Sequence, residues 1–437
     1  MYLGLDIGTT SICGIVLDNL GNIVYTITKS NDTHIKNINK ERTQNPEQIF
    51  SICYEIYHET LNKFSIKSVG ISGQMHGILY LDNNGNAISP LYSWQDERGN
   101  LPFENSTYAQ VLSKKTSYNM ATGFGCTSVY YDYINDLIPK NAFTFCTIGD
   151  YVAMKLANAS TPLLNETNSA SLGLYDIKNH CWDESAINKA GLPLNLFPKT
   201  TVDVELVGKT KEKVSVYTAI GDNQASVYGA EQSTNSFIVN IGTGSQISFI
   251  TSEYNTPPIG LEIRPYFNGC YLMLGCALCG GFSYKLLKDF FNSVSKEEIT
   301  YEQMNSWAEN ALNSSVPTTT TLFRGTRTNP NLRASITNIS DTNFNAKTLT
   351  LSVLQGISKE LKDFYDLILP IIGKKDNLIC SGNAIRMNNV LKQIIRNDYN
   401  KELNIPSHKE EAAFGACLIS AEKFENKNLK HFIHYER

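Results

Sequence analysis

The sequence predicts an α/β protein built twice over, and three stretches carry that expectation. The first eleven residues, Met1-Tyr2-Leu3-Gly4-Leu5-Asp6-Ile7-Gly8-Thr9-Thr10-Ser11, form an apolar run that ends in an aspartate and turns through Gly8, Thr9 and Thr10. A second apolar run, Ile12 to Leu17, follows at once, so the segment reads as strand, tight turn, strand. Phe237 to Ile250 repeats the plan around Gly242-Thr243-Gly244-Ser245. Two such hairpins, one early in each half, indicate internal duplication. Between them, Tyr217-Thr218-Ala219-Ile220-Gly221-Asp222-Asn223-Gln224 reads as a strand that delivers Asp222 at its carboxyl end and enters a helix. Open α/β sheets bind ligands beyond the carboxyl ends of their strands.

The hairpins have the chemistry of an anion cradle. Gly8 can take positive φ and admits a close neighbour. The turn presents successive N–H groups and the hydroxyls of Thr9, Thr10 and Ser11, which suit a phosphate. Asp6 stands at its mouth, where a carboxylate can hold a hydrated Mg²⁺.

In these stretches the chain resembles the FGGY carbohydrate kinases of the actin-like ATPase superfamily. The resemblance runs from Met1 to about Ala421. Its motifs are Gly4–Ser11, Ser72–Gly77, Trp94–Arg98, Gly221–Ser226, Ile241–Ser245, Ser381–Ala384 and Glu411–Ala416. Within the family the chain is most similar to the sedoheptulokinase branch, through Ile71–Gly77, Ser93–Asp96 and Thr122–Gly125. The resemblance implies a duplicated actin-like (ribonuclease H-like) fold with two domains around a central cleft. It implies ATP and Mg²⁺ as cofactors and a ketose as substrate. The boundary is expected near Val216. Residues 1–215 would carry the sugar site and first phosphate hairpin, and 216–437 the catalytic base and nucleotide site.

Composition agrees with an enzyme of this size. A chain of 437 residues is too long for one ordinary core. It is 42% hydrophobic and 18% charged, with a mean hydropathy of −0.23, as in soluble globular proteins. A net charge of −4 argues against a broad nucleic-acid surface. No apolar run reaches membrane-span length, and the first residues lack a leader pattern. The expectation is a cytoplasmic monomer or homodimer with no nucleic-acid or membrane partner. The ten cysteines have no framework spacing and read as reduced and mostly buried. Cys276-Ala277-Leu278-Cys279 has no second pair or histidine to complete a zinc site, so it reads as a strand entering a helix. Gly280-Gly281 opens that helix, around Tyr284–Phe291, and would let a nucleotide approach its N-terminus.

Along the chain, a polar loop and edge strand is expected over Lys29–Thr43. Asn45-Pro46 starts a helix, with Asn45 as its cap. Ile49, Cys53, Ile56, Tyr57 and Phe64 would face the sheet. Ser68–Ser72 is a short buried strand that delivers Gln74, Met75 and His76. Ile78–Leu81 and Ala87–Pro90 form a hairpin. Trp94-Gln95-Asp96-Glu97-Arg98 has the composition of a polyol pocket, an aromatic face beside amide and carboxylate. It reads equally as a buried Trp beside an internal Asp–Arg pair. Thr122–Thr127 is a glycine-rich turn placed to close over the pocket. Ile148–Leu156 is a helix with Asp150 in its first turn. Asn165–Ser171 is a polar turn, which the resemblance alone puts near the substrate. Pro317–Thr321 reads as solvated loop. Leu349–Leu369 is a long helix ended by Pro370. Ser381–Ala384 turns from a strand into a helix over Asn388–Arg396, and the family binds adenosine at that position. The family pattern has another glycine where Asn383 stands. Glu411–Lys423 is the last helix.

These parts define an expected mechanism. Gly8, Thr9, Thr10, Ser11, Gly242, Thr243 and Gly244 would hold phosphates, with Gly281, Gly382 and Asn383 on the nucleotide. Asp6 would orient Mg²⁺, with Asp222 beside it. Asp222 would take the proton from the attacking hydroxyl. Gln74, Met75, His76, Trp94, Gln95, Asp96 and Asn223 would bind the sugar. The substrate expected is sedoheptulose, phosphorylated at its terminal hydroxyl. The alternatives are xylulose or another ketose or polyol and, from other classes, a chaperone or filament, or a sensor without turnover.

Overall fold

The structure is a computed structural model and describes residues 1–35, 40–327, 329 and 331–436. The middle of the expected Lys29–Thr43 loop therefore lies outside the described residues. The chain packs as two compact units. The first contains Met1–Ala230, Pro265–Gly269 and Glu410–Ile433, and the second Glu231–Arg264, Cys270–Lys409 and His434–Arg437. Packing thus divides the chain at Ala230/Glu231 and not at 215/216. The reason is the helix Asp222–Ala230, which packs against the returning helix Glu411–Glu425 within the first unit. Asp222 therefore lies in the same unit as Asp6.

The first unit is organised on a sheet of order Leu206–Lys209, Ser215–Tyr217, Ser68–Gly73, Tyr2–Ile7, Ser11–Leu17, Ile23–Ser30. Tyr2–Ile7 pairs antiparallel with Ser11–Leu17 and parallel with Ser68–Gly73. Leu3, Leu5 and Ile7 alternate along the central strand and are fully buried on one face, as period-two patterning requires. Gly4 and Gly70 lie on the other face. A Cβ on Gly4 would stand 2.1 Å from the Ala413 carbonyl oxygen, and one on Gly70 only 1.8 Å from that of Ala416. The last helix lies directly on the backbone of the sheet because these two residues have no side chain. The Pro46–Lys63 helix is capped by Asn45, whose side chain accepts from the Glu47 and Gln48 N–H groups. It buries Ile49, Cys53, Ile56 and Tyr57.

The second unit repeats the plan. Ser236–Ile241 pairs antiparallel with Ser245–Thr251 and parallel with Asn377–Ser381. Its sheet runs Leu261–Pro265, Tyr271–Ala277, Ser245–Thr251, Ser236–Ile241, Asn377–Ser381, Leu403–Asn404. Phe237, Phe249, Tyr365 and Tyr399 cluster their rings in its core at centroid separations of 5.1 to 5.6 Å.

Several expected elements differ in detail. Asn165–Ser171 is not a turn: Asn165 caps a helix over Glu166–Leu172. The long helix spans Ala346–Ile372 and runs through Pro370, ending at Gly373 with φ 82°. Proline so near the C-terminus forfeits one hydrogen bond and is carried by the burial of the preceding turns. Pro317–Thr321 contains the strand Thr318–Thr320, paired with Ser335–Thr337. Ser381–Ala384 enters a separate short helix, Asn383–Arg386, before Asn388 caps the helix Asn389–Tyr399. The last helix extends to Glu425. Among the described residues no helix is long and apolar enough to cross a membrane.

Candidate active site

Three neighbouring strands of the first unit end together. Asp6 is in register with Ser72, and Ile220–Gly221 pairs with Ser72–Gly73 on the other side. Asp6 and Asp222 thus flank the Ser68–Gly73 strand at the same end of the sheet. Two inter-strand spacings put their backbones about 10 Å apart. Asp6 accepts a hydrogen bond from Ser72 Oγ at 2.8 Å. Burial holds its carboxyl above the usual range; the Ser72 bond opposes this, and Glu410 adds to it. No lysine or arginine among the described residues pairs with Asp6, so the ionised form lacks a cation. Asp222 is the first residue of its helix, with Asn223 second. Unpaired N–H groups at a helix start favour negative charge.

The first hairpin is tied down by amides. Gly8 N–H donates to Ser11 O at 3.0 Å, and Gly8 does not adopt positive φ. Asn31 Nδ2 donates to the Gly8 carbonyl at 2.8 Å and Gln44 Nε2 to that of Thr9 at 3.0 Å. Gln74 Nε2 donates to Gln44 Oε1 at 2.9 Å, and Thr9 Oγ1 donates to Gln74 Oε1 at 3.4 Å. Gln44, Gln74 and Thr9 thus close a ring of hydrogen bonds. Trp94 Nε1 joins it, donating to Thr9 Oγ1 at 2.9 Å. With the carbonyls anchored, the Thr9 and Thr10 N–H groups have no acceptor among the described residues, and Thr10 is exposed. That leaves backbone donors and the Thr10 hydroxyl for an anion, while the Thr9 hydroxyl is already engaged.

His76 has φ 74°, a strained conformation for a residue with a side chain. Its ring stacks on Phe124 at 4.8 Å with 2° between planes. Nδ1 lies 2.6 Å from the Ser171 carbonyl oxygen. A carbonyl can only accept, so Nδ1 carries the proton, and in the neutral ring Nε2 is an acceptor. Met75 is buried with its thioether against Gly221. Trp94 is 47% exposed and Gln95 is exposed. Gly123, at φ 78°, seats the Thr122–Gly125 turn on the Trp94 carbonyl.

Asp96 is placed differently from a sugar ligand. It is 1% exposed, with Oδ1 accepting from Arg98 N at 3.2 Å and Nε at 3.0 Å, and Oδ2 from Arg42 N at 3.2 Å. Arg98 reaches on to Asp132 Oδ1 at 2.7 Å, and Tyr80 donates to Asp132 Oδ2 at 3.0 Å. Burial pushes the Asp132 carboxyl up to about 6, against the pull of Arg98. The internal Asp–Arg pair is the arrangement present.

In the second unit the glycines of the second hairpin meet the start of the Gly281–Val294 helix. Gly281 N–H donates to Gly242 O at 2.8 Å and Phe282 N–H to Thr243 O at 3.0 Å. Gly281 N–H is therefore spent inside the protein. A Cβ on Gly242 would meet nothing within 4 Å, so that side of the turn is open. Gly382, at φ 92°, sits with its Cα against Ile241, where a Cβ would stand 2.4 Å from the carbonyl oxygen. Gly242, Gly244, Gly281 and Gly382 thus converge on one junction, with Asn383 opening the short helix beside it. Cys276 lies at the end of the strand entering this region, its thiol 3.4 Å from Gln246 Oε1.

Four residues of this arrangement were not singled out as ligands by sequence: Gln44, Thr167, Asn168 and Ser171. Gln44 precedes the Asn45-Pro46 cap and is fully buried. Thr167, Asn168 and Ser171 fall within Asn165–Ser171, where the asparagine cap was the available helix signal.

The chain has relatives along its whole length. The family model described as "FGGY family of carbohydrate kinases, N-terminal domain" matches residues 1–232. The chain is 26% identical to the sedoheptulokinase of Mus musculus, covering 96% of this chain and 97% of that protein. It is 24% identical to the xylulose kinase of Staphylococcus xylosus, over 96% and 90%. A glycerol kinase from Plasmodium falciparum, solved with ADP, superposes with a TM-score of 0.85 at 18% identity, covering 100% of this chain and 92% of that one. The likeness to solved kinases shows the duplicated actin-like α/β fold.

Proposed function

The chain belongs to the FGGY family of carbohydrate kinases, and from that premise we propose that it transfers the γ-phosphoryl group of ATP to the terminal hydroxyl of a ketose, sedoheptulose foremost. The observation that carries the reading is the meeting of Asp6, Asp222 and the Gln74–His76 turn at one end of the first unit's sheet.

Each group then has a task. Asp222, at the first position of its helix, accepts the proton of the attacking hydroxyl as general base. His76, with Nδ1–H held by Ser171, offers Nε2 to a sugar hydroxyl. Trp94 presents its ring to C–H groups and Gln95 an amide to a further hydroxyl, with Asn223 beside the base. Gln74 acts through the ring with Gln44 and Thr9, while Asp96 is taken up by the internal pair with Arg98. The freed Thr9 and Thr10 N–H groups, with Gly8 and Ser11 shaping the turn, take phosphoryl oxygens. Gly242, Thr243 and Gly244, backed by Gly281, Gly382 and Asn383, cradle the nucleotide.

Asp6 fits a divalent cation. Its carboxylate is desolvated and, among the described residues, has one hydrogen bond and no cationic side chain to balance it. Mg²⁺ is commonly held by one or two carboxylates together with substrate phosphates and water, so Asp6, with Asp222 as the second carboxylate, would suffice. When bound, the ion would neutralise phosphate charge.

Sedoheptulose is preferred over xylulose on two supports. The relatives named sedoheptulokinase share more identity than those named xylulose kinase. Trp94 and Gln95 also stand exposed beyond the His76 turn, where a longer sugar has more hydroxyls to place. Sites built for a hydroxyl reject analogues that lack it. Coupled ADP release over sedoheptulose, xylulose, gluconate and glycerol tests the reading, with kcat/KM highest for sedoheptulose. A better rate with xylulose removes the seven-carbon assignment and leaves the ketose kinase. No stimulation by any sugar removes both.

A further inference from the structure

We propose that Thr167, Asn168 and Ser171, on one face of the short Glu166–Leu172 helix, are positioning residues that hold the base-bearing strand end and His76 in a single register. The proposal rests on reading Asp222 as the base.

The strand end before Asp222 is held through one backbone N–H and one backbone carbonyl. Thr167 Oγ1 accepts from Gly221 N–H at 3.1 Å, and its own proton goes to Asn165 Oδ1 at 2.8 Å. The hydroxyl is therefore oriented before it meets Gly221. Asn168 Nδ2 donates to the Ala219 carbonyl at 3.3 Å and to Asp150 Oδ1 at 3.1 Å. Asp150 is fixed in turn by Thr147 Oγ1, which donates to Oδ2 at 2.6 Å. Thr167, Asn168 and Asp150 are all 2% exposed or less. Buried groups with every partner in place specify one arrangement.

Ser171 lies three and four residues beyond Asn168 and Thr167, hence on the same helix face. Its Oγ accepts from His76 N–H at 3.2 Å and donates to the Asn168 carbonyl at 2.7 Å. Its carbonyl takes the His76 Nδ1 proton. A left-handed backbone at a residue with a side chain persists only where its surroundings over-determine it. Ser171 supplies two of those constraints. One helix therefore fixes both the group that would take the proton and the group that would orient the sugar. A displacement near 1 Å costs about a hundredfold in rate.

Steady-state kinetics and thermal melting of Thr167→Val, Thr167→Ser and Ser171→Ala test the assignment, with Asp222→Asn as control. Valine matches threonine in shape but offers Gly221 no acceptor. We expect Thr167→Val to lower kcat about 10- to 100-fold with KM for ATP unchanged. Serine keeps the hydroxyl and should restore kcat to within about threefold. Ser171→Ala should raise the sugar KM several-fold more than it lowers kcat. Unchanged kcat in Thr167→Val, or a loss that serine does not rescue and that tracks melting temperature, overturns the proposal. If Thr167→Val does not fold, an unchanged sugar KM in Ser171→Ala overturns it alone. Near-normal turnover in Asp222→Asn would instead remove the base assignment. An inactive Asp222→Asn beside a fully active Thr167→Val removes only the role of the helix.

Discussion

Replacing Asp96 with alanine should unfold the protein more readily and leave its choice of sugar almost untouched. The Asp96 carboxylate sits between Arg98 and the Arg42 backbone, and the side chains of Asp96 and Arg98 are 1% and 2% exposed. Alanine would strand three donors: Arg98 N, Arg98 Nε and Arg42 N. Arg98 would keep Asp132, so one ion pair of two is broken. Removing one partner of a buried pair costs about 3–5 kcal/mol. At about 2–4 °C per kcal/mol for a domain of this size, the melting temperature should fall by roughly 6–20 °C. Scanning calorimetry of Asp96→Ala measures the loss. The double variant Asp96→Ala/Arg98→Met should not recover it, because Asp132 then loses Arg98 and is itself left buried without its cationic partner. A wild-type melting temperature combined with a selective rise in the sugar KM would refute this reasoning. It would mean that Asp96 leaves Arg98 to meet the substrate.

The remaining expectations concern the two strand-end acids and one buried carboxyl. Asp222→Asn should lower kcat by about 10²–10⁴ with ATP binding retained; stopped-flow phosphoryl transfer at saturating sugar measures it, and near-normal turnover would point to Asp6. Asp6→Ala should lose Mg²⁺-dependent nucleotide affinity without unfolding, as titration calorimetry with and without Mg²⁺ would show; equal affinity in variant and wild type takes Asp6 out of the metal site. Burial pushes the Asp150 carboxyl up to about 7 from 3.8, while Thr147 and Asn168 pull it down. The folded state therefore binds a proton more tightly than the unfolded chain. Asp150 should thus cost stability increasingly as pH rises from about 4 to about 7, by at most on the order of 4 kcal/mol. Asp150→Asn should flatten that slope in denaturant melts taken across this range, and an unchanged slope would contradict it.

The two hairpins were legible because each is a local pattern: an apolar run, a glycine–threonine turn and a second apolar run. The Asn45 cap and the strand that delivers Asp222 were legible for the same reason. Asn165–Ser171 was misread because its polar residues carry the composition of a turn. Their side chains are satisfied by Gly221, Ala219 and Asp150, partners that no local window contains. Asp96 was ambiguous for a related reason. Trp, amide, acid and Arg make a pocket or an internal pair according to where Asp132 falls, and Asp132 lies 34 residues from Arg98. The division of the chain was misplaced because Asp222 begins a helix whose packing partner, Glu411–Glu425, arrives almost two hundred residues later.

That late arrival has a consequence for how the protein is made. Gly4 and Gly70 wait for Ala413 and Ala416, and Ala225 and Gly229 for Gly415, whose absent Cβ would stand 1.9 Å from the Ala225 oxygen. At about 5–20 residues per second, a ribosome needs on the order of 10–40 seconds to pass from Ala230 to Glu425. Through that interval the bare face of the first sheet has no native cover. The second unit, whose chain lies almost wholly between those points, can close first. The nascent hairpin at the very start of the chain is thus among the last parts to be finished. Chaperone occupancy on stalled chains should track the emergence of Glu411–Glu425 and not that of Ala230.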